Sequence, residues 1–139
     1  MILDYQKAQR SFYAMPYTTR QKQVLASVLS NAERPLTPAE ICLEAQREIP
    51  KLGIATVYRA LKQFVDEGQV RLVEIPGVTP HYESAARQHH LFFFCNRCQR
   101  LFILLGCVYG VHALAPRGFA VKRHEIFLYG DCVDCRVSV

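Results

Sequence analysis

Two C-x-x-C pairs constrain the fold of this chain more than any other feature of its sequence. Cys95 and Cys98 form the first pair, and Cys132 and Cys135 form the second. A two-residue gap lets two thiolates face one ion from a tight turn, and two such turns supply the four sulfur ligands of a closed tetrahedral zinc site. Residues 99–131 separate the pairs, more than a simple zinc ribbon uses, so a small domain must fold between them. We therefore predict structural zinc with no open coordination position.

Two other roles stay open for these cysteines, a redox pair and buried free thiols. A thioredoxin-like pair begins a helix that follows a strand in a βαβ unit. Here Cys95 instead ends the apolar run 91–94, and Cys98 precedes the apolar run 101–105. This pattern predicts a β-hairpin and favours the metal site over the redox pair.

Length and composition limit the class of protein. A chain of 139 residues, half of them hydrophobic, allows one ordinary domain or two small ones. The N-terminus has no basic-then-apolar signal layout, and no apolar run approaches a membrane span. We therefore predict a cytoplasmic protein with no membrane partner, where cysteines bind metal rather than form disulfides. We expect Cys42 to be a small core residue. The net charge of +5 favours a nucleic-acid partner without locating its binding face.

Capping signals and apolar periodicity predict the N-terminal helices. Thr18 and Gln21 form one capping box, and Thr37 with Glu40 forms a second that has Pro38 at the first helical position. The predicted helices run from Thr18 to about Asn31, from Thr37 to about Glu48, and from Ala55 to Glu67 with an end at Gly68; an earlier segment, Leu3 to Ala14, is a further helix candidate.

Strand patterns follow the third helix. A strand over 70–75, a turn at Pro76 and Gly77, and a return strand over 81–83 predict the wing of a winged helix-turn-helix. The later part of the chain predicts strands over 91–94, 101–105, 119–123 and 125–129, with a short helix over 107–114. A unit of about 50 residues is marginal without a metal or a partner subunit.

One string of residues connects these elements to a known family. The run Leu52–Leu61, which contains A-T-V-Y-R, resembles the recognition-helix signature of the ferric uptake regulator superfamily, and both C-x-x-C pairs extend the resemblance. It implies a dimeric, metal-responsive transcription factor, usually a repressor. The implied fold is α+β, with a winged-helix DNA-binding domain over 1–83, a hinge over 84–89, and a zinc-stabilised α/β dimerisation domain over 90–139.

The implied DNA contacts agree with side-chain chemistry on the third helix. A helix in the major groove reads base edges with its exposed face, while basic and hydroxyl groups hold phosphates. The resemblance points to Tyr58 and Arg59 as the DNA-contacting pair and to Arg20 as a backbone contact. Thr56, Lys62 and Gln63 complete the candidate set. The alternative for each is an ordinary solvated surface residue. The expected target is an AT-rich inverted repeat bound by a homodimer.

The regulatory metal site that the resemblance implies is incomplete in this sequence. The usual H-x-H element reads His90-Leu91-Phe92, and Pro35 stands where many members have a histidine. The remaining candidate ligands are Glu83, His89, His90, Cys107 and His124. They divide into two partial sets, Glu83 with His90, and His89 with Cys107 and His124. Each has a structural alternative, such as a core thiol for Cys107 or a surface charge for Glu83. The second metal is therefore left open.

The sequence as a whole predicts a dimeric DNA-binding regulator with a structural four-cysteine zinc site. No nucleophile–base constellation is present, so we do not expect an enzyme. The alternatives are a zinc-ribbon interaction module and a thiol redox protein, neither of which binds DNA sequence-specifically.

Overall fold

The computed structural model describes residues 20–87, 91–106 and 110–136 of the chain. The chain divides into two compact units, Met1–Gln88 and His89–Val139. The helices are α1 (Arg20–Asn31), α2 (Pro38–Ala45), α3 (Ile54–Asp66) and α4 (Val133–Arg136), with a 3-10 helix over Val111–Leu114; the strands are β1 (Val70–Val73), β2 (His81–Ser84), β3 (Leu91–Cys95), β4 (Leu101–Ile103) and β5 (Ile126–Gly130). The predicted α+β class is confirmed.

The N-terminal unit is built around one apolar cluster to which α1, α2, α3 and β1 all contribute. Each helix places apolar side chains at three- and four-residue spacing, so one face of each is buried. The buried members are Val24, Leu25, Ala26, Leu29, Leu36, Ile41, Cys42, Ala45, Leu52, Val57, Ala60, Leu61, Phe64 and Val70. Cys42 is thus a core residue, as the sequence predicted.

Helix α2 begins at the capping box that its sequence predicted. The Thr37 side chain accepts a hydrogen bond from the Glu40 N–H at 3.2 Å, and the Glu40 carboxylate accepts one from the Thr37 N–H at 2.9 Å. The helix ends at Ala45, three residues before the predicted end. Residues 46–48 continue as a tighter turn, in which the Glu48 N–H donates to the Ala45 carbonyl at 3.1 Å.

Helix α3 ends at a glycine in the left-handed backbone region. Gly68 has φ +74°, a conformation that costs side-chain-bearing residues energy. The Gln69 N–H donates to the Phe64 carbonyl at 2.8 Å and the Gly68 N–H to the Val65 carbonyl at 3.0 Å. This Schellman pattern satisfies the last carbonyls of the helix and turns the chain into β1.

Strands β1 and β2 form the antiparallel wing hairpin, with Arg71 opposite Glu83 and Val73 opposite His81. Leu36, in the loop before α2, exchanges two backbone hydrogen bonds with Tyr82 at 2.8 and 3.0 Å. The wing is therefore hydrogen-bonded to the segment that leads into the helix-turn-helix.

The C-terminal unit contains a three-stranded sheet in the order β4-β3-β5. Strands β3 and β4 form the predicted antiparallel hairpin, whereas β3 and β5 pair in parallel. Phe92, Phe94 and Leu101 are buried in this unit. Phe92 stacks on Phe127 across the parallel pair, with ring centroids 5.3 Å apart.

One predicted strand was wrong, and three predictions extend beyond the described residues. Residues 119–123 do not form a strand, and Phe119 is exposed. A short apolar run alone does not make a strand, because a strand requires a neighbour for its backbone hydrogen bonds. The predicted helix over 107–114 corresponds to the 3-10 helix at its end, and residues 107–109 lie outside the described residues, as do Thr18 and the segment 3–14. The functions predicted for 1–83, 84–89 and 90–139 stay predictions.

Candidate metal centre and nucleic-acid surface

The parallel pairing of β3 and β5 brings the two C-x-x-C pairs together. Cys95 is the last residue of β3 and lies opposite Gly130, the last residue of β5. The carboxyl ends of parallel strands meet at the same edge of a sheet. Cys98 follows in the turn after β3, while Cys132 and Cys135 lie at the start of α4 and within it. The distant pairs therefore meet because two strands run in the same direction.

The four sulfur atoms have the spacing of one metal centre. All lie within 4.8 Å of one another. The Sγ atoms of Cys98 and Cys132 are 3.8 Å apart. A tetrahedral zinc ion with Zn–S bonds of about 2.3 Å separates its sulfur ligands by about 3.8 Å. Within the described residues, these four cysteines are the only group of three or more metal-ligating side chains so arranged.

Backbone donors from both pairs prepare the Cys95 sulfur to be a thiolate. Its Sγ accepts hydrogen bonds from the Cys98 N–H at 3.5 Å and the Cys132 N–H at 3.4 Å. Burial raises the pKa of the Cys95 thiol, but these donors and the Arg97 N–H outweigh it and lower the pKa to about 6. Cys95 is fully buried, so this thiolate is not the accessible nucleophile that a redox pair requires.

The other thiols show why the cluster needs a cation. Burial and the neighbouring sulfurs raise the pKa of the Cys135 thiol to about 12, and burial raises that of Cys98. Four thiolates at this spacing repel one another unless a positive ion lies between them. A divalent ion with tetrahedral preference and affinity for sulfur meets this requirement, and zinc is such an ion. The donor atoms and spacing of the four cysteines therefore fit a structural zinc ion.

Arg97 links the two pairs, and the sequence reasoning missed it. Its Nη1 donates to the Cys135 carbonyl at 3.0 Å, and its Nε lies 3.5 Å from an Asp131 carboxylate oxygen. Arg97 therefore connects the first cysteine pair to the residues around the second. Its positive charge lies next to the cysteine cluster, which is negative when the thiols are ionised. The only sequence signal was a basic residue inside the first C-x-x-C.

Helix α3 presents a polar face that includes the predicted DNA contacts. Val57, Leu61 and Phe64 anchor its inner side. Tyr58 is 52% exposed, and Arg59 and Lys62 are also exposed. The first acidic residue of the helix is Asp66, in its last turn, so the N-terminal part of this face is basic.

The remaining candidate contacts differ in exposure. Thr56 is half-buried and its hydroxyl accepts a hydrogen bond from Arg59 at 3.3 Å. Gln63 is half-buried and donates to Glu67 at 2.8 Å, which directs its amide toward the C-terminal end of the helix. Arg20 is exposed at the start of α1, where its guanidinium is 3.5 Å from the Glu48 carbonyl. These six residues stay predicted DNA contacts.

Glu83 lies in the wing with a cationic partner of its own. The side chain is 1% exposed and forms an ion pair with Arg71, directly opposite on β1. Burial raises the pKa of the Glu83 carboxyl above its usual value, and the hydrogen bond and charge of Arg71 and the charge of Arg87 offset only part of that rise. The sequence reasoning missed Arg71. Placing the hairpin turn symmetrically about Gly77 would have predicted the pairing of residues 71 and 83.

The other candidate ligands for a regulatory metal are not assembled into a site within the described residues. His89, His90 and Cys107 lie outside them. His124 is half-buried just before β5, and its ring contacts that of His112, with centroids 5.7 Å apart in an edge-to-face arrangement. The regulatory ligand set stays a prediction.

Two departures from the family pattern are part of the apolar interior. Phe92, in place of the second histidine of the H-x-H element, is 2% exposed. Pro35 is also fully buried. Both positions contribute packing and supply no metal-ligating atom.

A winged helix-turn-helix unit followed by a small sheet with four clustered cysteines defines a class, the winged-helix DNA-binding regulators that contain a metal centre. Comparison with known proteins identifies the family. The model of the ferric uptake regulator family matches residues 15–129. The chain therefore belongs to the ferric uptake regulator family, whose members are metal-responsive DNA-binding transcription regulators.

Individual relatives agree with this assignment. The ferric uptake regulation protein of Campylobacter jejuni is 30% identical over 122 residues, covering 84% of this chain and 78% of that protein. The Helicobacter pylori ferric uptake regulator superposes with a TM-score of 0.71 at 20% identity, covering 97% of this chain and 91% of that one. A zinc-bound manganese uptake regulator gives a TM-score of 0.73 at 22% identity, covering 94% and 99%. The two structures show that the fold is shared.

The helices of the described residues include none with the length and apolar character needed to span a lipid bilayer.

Proposed function

We propose that this protein is a dimeric, sequence-specific DNA-binding repressor whose four cysteines hold a structural zinc ion. The observation that carries this proposal is the division of α3 into a buried apolar side and an exposed face with Tyr58, Arg59 and Lys62. A helix anchored in this way can enter a major groove without disturbing the core behind it. As a regulator of transcription it acts in the cytoplasm.

Each residue of the α3 face has a defined task in this proposal. Arg59 donates to a guanine edge or a phosphate, and Tyr58 packs on a thymine methyl group or donates to a phosphate. Lys62 and Arg20 neutralise phosphates. Thr56 holds the Arg59 guanidinium at 3.3 Å, so it orients the base contact as well as offering a hydroxyl of its own.

The four cysteines act on DNA binding indirectly. Zinc held by Cys95, Cys98, Cys132 and Cys135 stabilises the β3–β5 edge and hence the C-terminal unit. In the described part of that unit β5 lies at one edge of the sheet, and Leu128 and Tyr129 on it are half exposed. A second copy covering these side chains forms the dimer. The dimer sets the separation of two recognition helices, so the operator is an inverted repeat whose half-site spacing reflects the two-fold axis.

The experiment is a fluorescence-anisotropy titration of an AT-rich inverted-repeat duplex, with a scrambled duplex as competitor. Arg59→Ala is expected to weaken specific binding by about 5- to 150-fold, the range for losing one base contact of about 1–3 kcal/mol. The matched control is Arg47→Ala, which removes an exposed arginine beyond the C-terminal end of α2. If Arg59→Ala and Arg47→Ala bind the inverted-repeat and the scrambled duplex with the same affinity, the result favours an interaction module without sequence-specific DNA binding.

A further inference from the structure

Glu83 is the only buried acidic side chain among residues 20–87, 91–106 and 110–136. A carboxylate removed from water loses its hydration, and it stays ionised in a protein only where a positive charge or hydrogen-bond donors replace that hydration. Every other acidic side chain described is at least partly solvated. Burial of the Glu83 carboxylate therefore has a desolvation cost that the other acidic side chains do not have.

The compensating charge comes from the same hairpin. Arg71 lies directly across the antiparallel pair, and its guanidinium forms an ion pair with Glu83 Oε1. Cross-strand neighbours in a hairpin are brought together by the backbone register itself, so the pair forms whenever β1 and β2 form. Glu83 is 1% exposed and Arg71 28% exposed, so the carboxylate is shielded from water while the guanidinium is partly solvated.

A divalent cation at Glu83 would meet an unfavourable local charge. Arg71 occupies one carboxylate oxygen, and Arg87, four residues further along the chain, adds a second positive charge close enough to act on this carboxyl. The other oxygen, Oε2, has no hydrogen-bond partner among the described residues. Oε2 belongs to a carboxylate whose other oxygen is paired with Arg71, so a doubly charged ion bound there would be repelled by that guanidinium and by the charge of Arg87.

We infer that Arg71 is the built-in counter-ion of Glu83, and that Glu83 holds the two strands of the wing together without being a ligand of a regulatory metal. The inference rests on the proposed function only in taking a metal response as the expected behaviour of this regulator. Metal sensing in this chain then depends on other ligands, and the wing keeps its geometry whether or not a regulatory metal is bound.

The first experiment measures metal binding to the full-length protein with its four-cysteine site filled by zinc. Mn²⁺ is titrated and followed by the electron paramagnetic resonance of the free ion, and further Zn²⁺ is titrated by calorimetry. The variant is Glu83→Gln, which keeps the size of the side chain and a hydrogen-bond acceptor for Arg71. We expect the same stoichiometry and, within about twofold, the same affinity as in the wild type. A loss of tenfold or more in affinity for either ion on Glu83→Gln would overturn the inference.

The second experiment tests the counter-ion itself. Arg71→Met leaves a buried charge without its partner, and such changes commonly raise the unfolding equilibrium constant by about a hundredfold or more. Glu83→Gln combined with Arg71→Met is expected to recover most of that loss, since no unpaired charge remains. Arg47→Met, at an exposed ion pair with Glu44, is the matched control and should change little.

Unfolding of the N-terminal unit is read by hydrogen exchange at the amides of β1 and β2. If Arg71→Met is no more destabilising than Arg47→Met, or the double variant recovers nothing, Arg71 is not the counter-ion. Operator binding is not a readout of either experiment. A failure of the proposed repressor function would therefore be distinguishable from a failure of this inference.

Discussion

The two units of this chain are stabilised in different ways. The N-terminal unit has one continuous cluster of buried apolar side chains drawn from three helices and the wing. In the described part of the C-terminal unit, the buried side chains are Phe92, Phe94 and Leu101 together with the ligands Cys95 and Cys132. The first unit thus contains its own source of stability, whereas the second has a small core of which two metal ligands are part.

Exposed apolar side chains show the same contrast. Among the residues that the structure describes, the C-terminal unit contains most of the large ones, namely Leu105, Leu114, Phe119, Leu128, Tyr129 and Val133. In our proposal a second copy covers Leu128 and Tyr129 on this surface. The N-terminal unit thus has a large apolar core of its own, and in our proposal the C-terminal unit requires a metal ion and a second copy.

Loss of the metal centre is expected to have the largest effect on the difference in stability between the two units. Cys95→Ser removes the most deeply buried ligand, and a structural zinc site contributes on the order of 10–16 kcal/mol of apparent binding free energy to folding. We expect the C-terminal unit to lose its hydrogen-exchange protection while the N-terminal unit keeps its own. Cys42→Ala is the matched control, because Cys42 lies in the N-terminal core, and it should leave one zinc per chain. If the amides of β3 and β5 keep their hydrogen-exchange protection in Cys95→Ser, the C-terminal unit does not depend on the metal centre for its stability.

The converse change is made in the N-terminal core. Phe64→Ala removes a fully buried ring, and such substitutions cost about 3–5 kcal/mol. Chemical denaturation should show the loss in the N-terminal unit, and the loss should be the same with and without zinc. Gln63→Ala, the neighbouring half-buried position, serves as the control and is expected to cost much less. Rescue of Phe64→Ala by added zinc would show that the units are not independently stabilised.

An intermediate effect is expected at the capping box of α2 under acid. Burial raises the pKa of the Glu40 carboxyl, but the hydrogen bonds and charge of Arg34 and the Thr37 N–H outweigh it, so the net pKa is below its usual 4.5. The stability from this group is therefore present above pH 4.5 and lost as the pH falls through the lower folded-state pKa.

Glu40→Gln should cost about 1 kcal/mol at neutral pH and flatten the loss of stability between pH 4.5 and more acidic values. The measurement is thermal unfolding of the N-terminal unit across that range. Glu44→Gln, on the same helix at an exposed ion pair, is the control. If both variants show the same pH profile, the capping box is not the source of the acid dependence.

The smallest effect is expected next to the metal centre. Gln99 follows Cys98 with φ +59°, the left-handed region that costs a residue with a side chain about 1 kcal/mol. Gln99→Gly removes this cost, but glycine is also more flexible in the unfolded chain. The net stabilisation of the C-terminal unit should therefore be only a few tenths of a kcal/mol. Gln99→Val, with a branched side chain, should act in the opposite direction. Zinc release to a chromogenic chelator measures both, and equal release rates would show that this backbone position does not influence the centre.

Local chemistry determined most of the N-terminal unit. The Thr37 capping box, the inward positions of α3, the helix end at Gly68 and the wing turn at Pro76 all follow from contacts within a few residues. Such signals can be read from sequence because the interacting groups are neighbours in it. The prediction was weaker where no local partner exists, as in the strand expected over 119–123.

The tertiary structure decided which residues that are distant in the sequence come into contact. The sequence showed four cysteines in two pairs, but only the parallel register of β3 and β5 places Cys95 opposite Gly130 and brings the second pair to the same edge. In the same way, Glu83 was a candidate ligand in the sequence, and the hairpin register gave it Arg71 as a partner. Residue type and spacing determined which chemistry was available to this protein, and the folded backbone decided which groups meet, because strand pairing joins residues that no local pattern connects.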